Sequence, residues 1–185
     1  MNFNKHLLLD GSHAPFSPSQ SAWLRYDDQK IIDSLRNKQA VSMGTRLHAW
    51  ACETIKLGIK QPKSKKTIYM YINDAIGFKM EPEVLLYYSD YFFGTSDAIS
   101  FYKNVLRIHD LKTGTSPTHM EQVKIYAALF CLEYRIKPTA IQIELRIYQY
   151  DEIEECTPDP EEIVYIMDMI VHKNKLLEKV GILEE

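Results

Sequence analysis

The chain changes its periodicity near residue 80, and that change restricts the fold more than any other feature. Three segments, VLLYYSD, FFGTSDAISF and VLRIHDLKT, follow one another between residues 84 and 113. All three are short and rich in β-branched and aromatic residues, which fit a pleated, half-buried surface. Lys103-Asn104 separates the last two and reads as a two-residue hairpin turn. Counting back from that turn pairs Tyr102 with Val105 and Phe101 with Leu106. At the same register Asp97 stands opposite Asp110. A meander of this kind has an apolar face that helices must cover.

The rest of the chain supplies those helices. Ser17-Pro18 reads as an N-cap with Pro at the first helical position, and Trp23, Leu24, Ile31, Ile32 and Leu35 follow at helical spacing. The spacing predicts a second helix from about Gln39 to Leu57, with Gly58 just past its end. After the basic loop QPKSKK, the residues Ile68, Tyr71, Ile72, Ala75 and Ile76 predict a third. Beyond the meander, Ser116-Pro117 opens a helix carrying Val123, Tyr126, Ala127 and Phe130. Pro138 breaks the chain before AIQIELRIYQY, where Ile141, Ile143, Leu145 and Ile147 alternate with polar residues as in a strand. DEIEECTPDPEE reads as an acidic turn before a last helix with Ile163, Ile166, Met167, Ile170 and Val171. The expected fold class is α/β. A mixed sheet combines the three-strand antiparallel meander, a crossover helix and a further strand, with helices in front. If the crossover joins parallel strands it should be right-handed.

At 185 residues and 45% hydrophobic, the chain suits a single domain over 1–185, helical to about residue 80 and an α/β core from about 81. No apolar run approaches the roughly 20 residues of a membrane span. The start, MNFNKHLLLDGSH, lacks a small-residue cleavage site, so no signal peptide is expected. Cys52, Cys131 and Cys156 are scattered and form no CxxC pair. Neither a disulfide framework nor a zinc site is signalled, and a reducing cytoplasm is the expected home (the host's, if a phage encodes the chain). The net charge is −3 but unevenly placed. Residues 1–66 hold 11 Lys and Arg against 5 Asp and Glu, and residues 67–185 hold 11 against 20. A basic first third can face an anionic polymer, though on charge alone two solvated faces of opposite sign are the simpler reading.

Asp110 and Lys112 lie two apart at the end of a predicted strand, so both side chains share one face. With Asp97 opposite, two carboxylates and a lysine converge. Carboxylates are hard ligands for Mg²⁺ or Mn²⁺, and a nearby ammonium can offset charge on a phosphate. A lone D-x-K is also what a surface ion pair looks like. Gln122 and Tyr126, i and i+4, share a face of the following helix, which an ordinary amphipathic helix with a core tyrosine would also give. His48 shares a face with Cys52 and Ile55, as a packed core histidine would. Glu81 and Glu83 precede the meander and could reach the site, with surface positions the expected ones.

In order, these residues resemble the RecB-like branch of the PD-(D/E)XK nuclease superfamily. GTRLH resembles its first motif, with His48. GTSDAI resembles the second, with Asp97. HDLKTG resembles the third, with Asp110 and Lys112, and QVKIY the fourth, with Gln122 and Tyr126. The match covers roughly half the chain, about Gly44 to Phe130, and is closest to small phage-encoded and CRISPR-associated nucleases. The resemblance implies a restriction-endonuclease-like core and a metal-dependent DNA nuclease, an exonuclease in phage-type replication or recombination. It implies Mg²⁺ or Mn²⁺ bound by His48, Asp97, Asp110 and the Leu111 carbonyl, with Lys112 assisting the attacking water. Gln122 and Tyr126 would support the site or contact DNA. Many relatives carry Glu where Asp110 stands. CRISPR-associated relatives often hold an iron–sulfur cluster on four cysteines, and three scattered ones make no such cluster expected here. No Walker sequence is present, so unwinding would come from an ATPase or recombination protein on another chain.

Two other readings stand beside the enzyme. One is a non-catalytic DNA-binding or scaffolding subunit with a nuclease fold, in which loss of an acid or the lysine is usual; here both acids and the lysine are present. The other is a structural protein in which Asp97, Asp110 and Lys112 form a buried polar cluster. Neither exo- against endonucleolytic action nor the oligomeric state is written in the sequence.

Overall fold

The computed structural model describes residues 16, 18–115 and 118–182. Contacts divide the chain into two compact units, Met1–Thr45 and Arg46–Glu185. In the first, a 3₁₀ helix spans Pro18–Arg25, and helix α1 (Asp28–Lys56) begins after it. The Asp27 carboxylate caps that start, accepting from the Lys30 N–H at 2.7 Å. The expected pair of helices is therefore a 3₁₀ segment followed by one continuous helix. No Pro or Gly lies between Leu35 and Gln39 to break the helix, and Gly44 further on costs about 1 kcal/mol without ending it. The Ser17 cap lies outside the described residues, as do Ser116 and Pro117; the helix expected to open there begins only at Glu121, after the non-helical Thr118 and His119.

Gly58 does end α1 as expected, at φ +67°. The Ile59 N–H donates to the Thr54 carbonyl and the Gly58 N–H to that of Ile55, closing the helix by the left-handed C′ route. Helix α2 (Thr67–Gly77) follows, then strands β1 (Glu81–Ser89), β2 (Phe92–Tyr102) and β3 (Val105–Leu111). Lys103 and Asn104 have φ of 49° and 61°, the hairpin turn expected between β2 and β3. Helix α3 (Glu121–Glu133) crosses to strand β4 (Gln142–Gln149), parallel to β3. The sheet order is β1-β2-β3-β4-β5, antiparallel except at β3–β4.

The fifth strand, β5 (Glu152–Cys156), corrects the expected acidic turn. Tyr150 and Asp151, at φ 53° and 59°, make a tight turn that folds DEIEEC back on β4. Four acids in six residues hid the strand; charged side chains are what an exposed edge strand carries. Helix α4 (Pro160–Ile182) closes the chain, started by Asp159, whose carboxylate accepts from the Glu161 N–H. No helix among the described residues is long and apolar enough to cross a membrane.

Each face of the sheet has its own core. Leu106, Ile108, Ile143, Leu145 and Ile147 meet Val123, Ala127 and Ile163 from α3 and α4. On the other face Ala98, Leu111 and Tyr148 meet Ala51, Ile55, Ile72 and Ala75 from α1 and α2. That second core encloses a polar chain. The Tyr148 hydroxyl donates to Asp74 Oδ2 at 2.7 Å, so His109 Nδ1, 3.2 Å from the same oxygen, is assigned the proton and donates to it. Arg146 also binds Asp74 at 3.0 Å. His109 is fully buried. Burial first, then Arg146 and Arg107, push its pKa down to about 3, and the ring stays neutral.

The unfolded chain therefore takes up a proton at this histidine near pH 6.5 that the folded chain refuses until about 3. Stability from this group is intact above pH 6.5 and is lost as the pH falls toward 3, by up to about 5 kcal/mol. In urea titrations between pH 7 and pH 4, His109→Phe should show a distinctly flatter loss of stability than the wild type. Parallel curves would show that His109 is not the titrating group.

Candidate metal centre

The meander brings three carboxylates to one level of the sheet. The β2–β3 ladder runs from Tyr102↔Val105 to Ala98↔His109, in the register the hairpin turn predicts. The next step sets Asp97 against Asp110. The strands part there, and the Leu111 N–H turns to Asp97 Oδ2 at 2.8 Å. On the other side Glu83 stands opposite Asp97, between the pairs Pro82↔Ala98 and Val84↔Ser96. Glu83 has a left-handed backbone, φ +56°, inside a strand. For a residue with a side chain that conformation is strained, and it kinks β1 where the acid is presented.

α1 adds an imidazole. His48 Nδ1 lies 3.6 Å from Asp97 Oδ2. One donor atom from each of His48, Glu83 and Asp97 lies within 4.8 Å of the others. Asp97 is 18% and His48 29% exposed at the side chain, and Glu83 is exposed, so the cluster is half-buried and open on one side. One nitrogen and two carboxylates, close together and accessible, make a donor set that can hold a hard divalent cation such as Mg²⁺ or Mn²⁺. Glu83 is thus both exposed, as expected, and part of the site, the less favoured of its two expected places. A left-handed residue inside a strand leaves no mark in the hydropathy pattern, so only the register could have found it.

Asp110 is buried, at 3% exposure, and it is not among those three donors. Lys112 Nζ lies 2.9 Å from its Oδ2 and 3.3 Å from its Oδ1, as the shared strand face predicts. The same ammonium donates to Gln122 Oε1 at 2.6 Å, so α3 fixes the lysine from the other side. Tyr126, one turn on, packs against β2 at Gly94. A Cβ there would come within 3.0 Å of Tyr126 Cε1, so the ring's seat depends on the glycine. Burial raises the Tyr126 pKa, with Asp97 and Asp110 adding to it.

A second residue was not legible in the sequence. Tyr71 of α2 is buried, and its hydroxyl is held far above the usual range by burial first, then by Asp97, Glu83 and Asp110. It is a neutral phenol facing the acids, though its spacing marked it only as core. Leu111 reaches the site through its N–H, with its side chain in the second core.

None of the protein-family models, curated proteins or solved structures compared with the chain matches it. The mixed sheet flanked by helices, with a His/Glu/Asp cluster where the strands part, is consistent with a PD-(D/E)XK-like nuclease fold in general.

The acids are crowded. Burial first, then Asp110, raise the Asp97 pKa to about 6, against the pull of the Leu111 N–H and His48. A raised carboxylate pKa means that folding is opposed above it and favoured as the pH falls through 6 toward 4. Without divalent ions at pH 7.5, Asp97→Asn should therefore be more stable than the wild type in urea by roughly 2 kcal/mol. The gap should close by about pH 4, and Mn²⁺ should stabilise the wild type alone. A less stable variant at pH 7.5 would contradict the crowding.

Proposed function

We propose that this chain is a divalent-metal-dependent deoxyribonuclease of the RecB-like PD-(D/E)XK kind, an exonuclease serving phage-type DNA replication or recombination. The carrying observation is the Lys112 ammonium, clamped between Asp110 and Gln122 beside the His48–Glu83–Asp97 donor cluster. A Mg²⁺ or Mn²⁺ ion held by those three donors, with Asp110 and the Leu111 carbonyl beside them, would polarise the scissile phosphate and acidify a water. The chain's own groups do the rest. Lys112 orients the attacking water and offsets charge gathering on the phosphate, and its two partners fix where that ammonium sits. Tyr126 offers a neutral hydroxyl next to the acids.

The basic loop supports the same reading. Lys60, Lys63, Lys65 and Lys66 are all exposed between α1 and α2. Lys66 and Lys112 line one cavity of about 330 Å³ together with Thr113, Thr115 and Asp151, whose carboxylate is engaged by the Thr67 N–H and hydroxyl. The turn after β4 braces that rim, Gln149 donating to the Gly114 carbonyl and Tyr150 to that of Thr115. A phosphate backbone laid from the loop to Lys112 meets cations and hydroxyls, which bind without reading sequence. The intact Asp110–Lys112 pair disfavours a purely DNA-holding subunit.

The test is Mn²⁺-dependent cleavage of end-labelled linear and circular DNA, single- and double-stranded. Lys112→Ala should lose activity by about two orders of magnitude or more, while calorimetry shows Mn²⁺ still bound. Asp97→Ala should lose both. A folded, metal-binding wild type that cuts nothing would overturn the proposal. Separately, Lys63→Glu with Lys65→Glu and Lys66→Glu should weaken DNA binding and lower its salt slope by about 3. An unchanged slope would remove the loop from the DNA path.

A further inference from the structure

Trp50 of α1 and Tyr69 of α2 bring their rings together, with centroids 6.4 Å apart and planes tilted by 52°. The pair lies on the outer side of the two helices. Trp50 is two residues from His48 and Tyr69 two from Tyr71, which is about 200° round a helix, and His48 and Tyr71 face the acids. Trp50 is 41% exposed, although tryptophan is on average well covered. Tyr69 is half-buried beside it, and the Lys66 ammonium stands 5.4 Å from the centre of the Tyr69 ring. Packing of α1 on α2 accounts for the ring edges that meet. It does not account for an open indole with a cation next to it.

The rings continue the rim of the Lys112 cavity. Leu47 and Lys66 both line that cavity, and each lies three residues before one of the rings, Leu47 before Trp50 and Lys66 before Tyr69. Residues three apart on a helix are surface neighbours. Charge along this path favours a polyanion. Arg46 is exposed one turn from Trp50 on the cavity side, and Lys63, Lys65 and Lys66 are exposed in the loop before Tyr69. Glu53 shares the Trp50 face one turn the other way, so the cations lie between the rings and Lys112.

We infer that Trp50, backed by Tyr69, stacks one unpaired base of the substrate strand, whose phosphates run past Lys66 to Lys112. The inference rests on the nuclease reading and narrows it to a substrate class. Free phosphate would use the lysines and leave the indole bare, and an apolar partner would cover the lysines without pairing them. A single strand meets both needs, phosphates for the cations and a flat face for the ring. Every base has such a face, so the contact tolerates any sequence. A paired base has both faces covered by its neighbours, so the strand at this site is single-stranded or frayed DNA.

Tryptophan fluorescence reads the contact directly. The chain has two tryptophans, and Trp23→Phe leaves Trp50 as the reporter. The probes are a short oligo-dT strand, an abasic strand of the same length and a blunt duplex. Ca²⁺ replaces Mn²⁺ so that the DNA stays whole. Oligo-dT should quench Trp50, whereas the abasic strand, which keeps the phosphates, and the duplex should not. Trp50→Ala should weaken oligo-dT binding about tenfold and leave duplex binding and calorimetric Mn²⁺ affinity unchanged. Trp50→Phe should restore most of that affinity. Equal quenching by the abasic strand, or oligo-dT binding that Trp50→Ala leaves unchanged, overturns the inference whether or not the protein cuts DNA. So does a dimer in sedimentation that Trp50→Ala breaks, since it would give this face to a second copy. Base-dependent quenching in a protein without nuclease activity supports the stacking surface and counts against the nuclease reading alone.

Discussion

Glu83, Asp97 and Asp110 stand at one level across three hydrogen-bonded strands, and much of the structure answers that crowding. Three negative charges at strand spacing repel one another, and burial deepens the cost by removing water. Each acid has its own relief. Asp110 has the Lys112 ammonium, Asp97 has the Leu111 N–H and the His48 ring, and Glu83 reaches outward through a kinked backbone. The relief is incomplete, since Asp97 still holds its proton to about pH 6. The apo chain thus stores an electrostatic deficit that a divalent cation is suited to offset. Sites built for function commonly spend stability in this way.

Neighbours on one strand show how closely this deficit is confined. His109 and Asp110 are adjacent and buried, on opposite faces of β3. His109 is kept neutral inside a polar chain of Tyr148, Asp74 and Arg146, which joins α2 to β4. Asp110, one residue on, is matched to a cation at the open end of the strand. Period-2 alternation therefore separates the enclosed polar chain from the ion pair beside the donor cluster by the thickness of a single backbone.

What the sequence made legible follows from this same alternation. Lys103-Asn104 fixed the hairpin register, and from it came the facing of Asp97 and Asp110 and the common face of Asp110 and Lys112. Helical spacing placed Gln122 on the lysine's side. The pattern was silent where geometry departs from regularity or where chemistry disguises it. Glu83 needed a left-handed backbone that no neighbour announces, and β5 was masked by its acids. Tyr71 shares its spacing with core residues, so only the acids facing it distinguish it. The continuity of α1 was obscured by reading a pause where no residue breaks the helix.

The crossover helix ties these parts into one device. Beyond its apolar face, α3 is fixed at three points along its length: Gln122 on Lys112, Tyr126 on Gly94, and the Glu133 carboxylate on the Tyr87 N–H at 2.8 Å. The last contact also caps an edge strand that would otherwise offer a free backbone donor. Because Tyr126 sits where any side chain at position 94 would crowd it, the spacing between α3 and the β1–β2 hairpin is set by a glycine. Where α3 docks also fixes where Gln122 meets the lysine, at 2.6 Å, so the position of the ammonium follows from one helix seated against one hairpin.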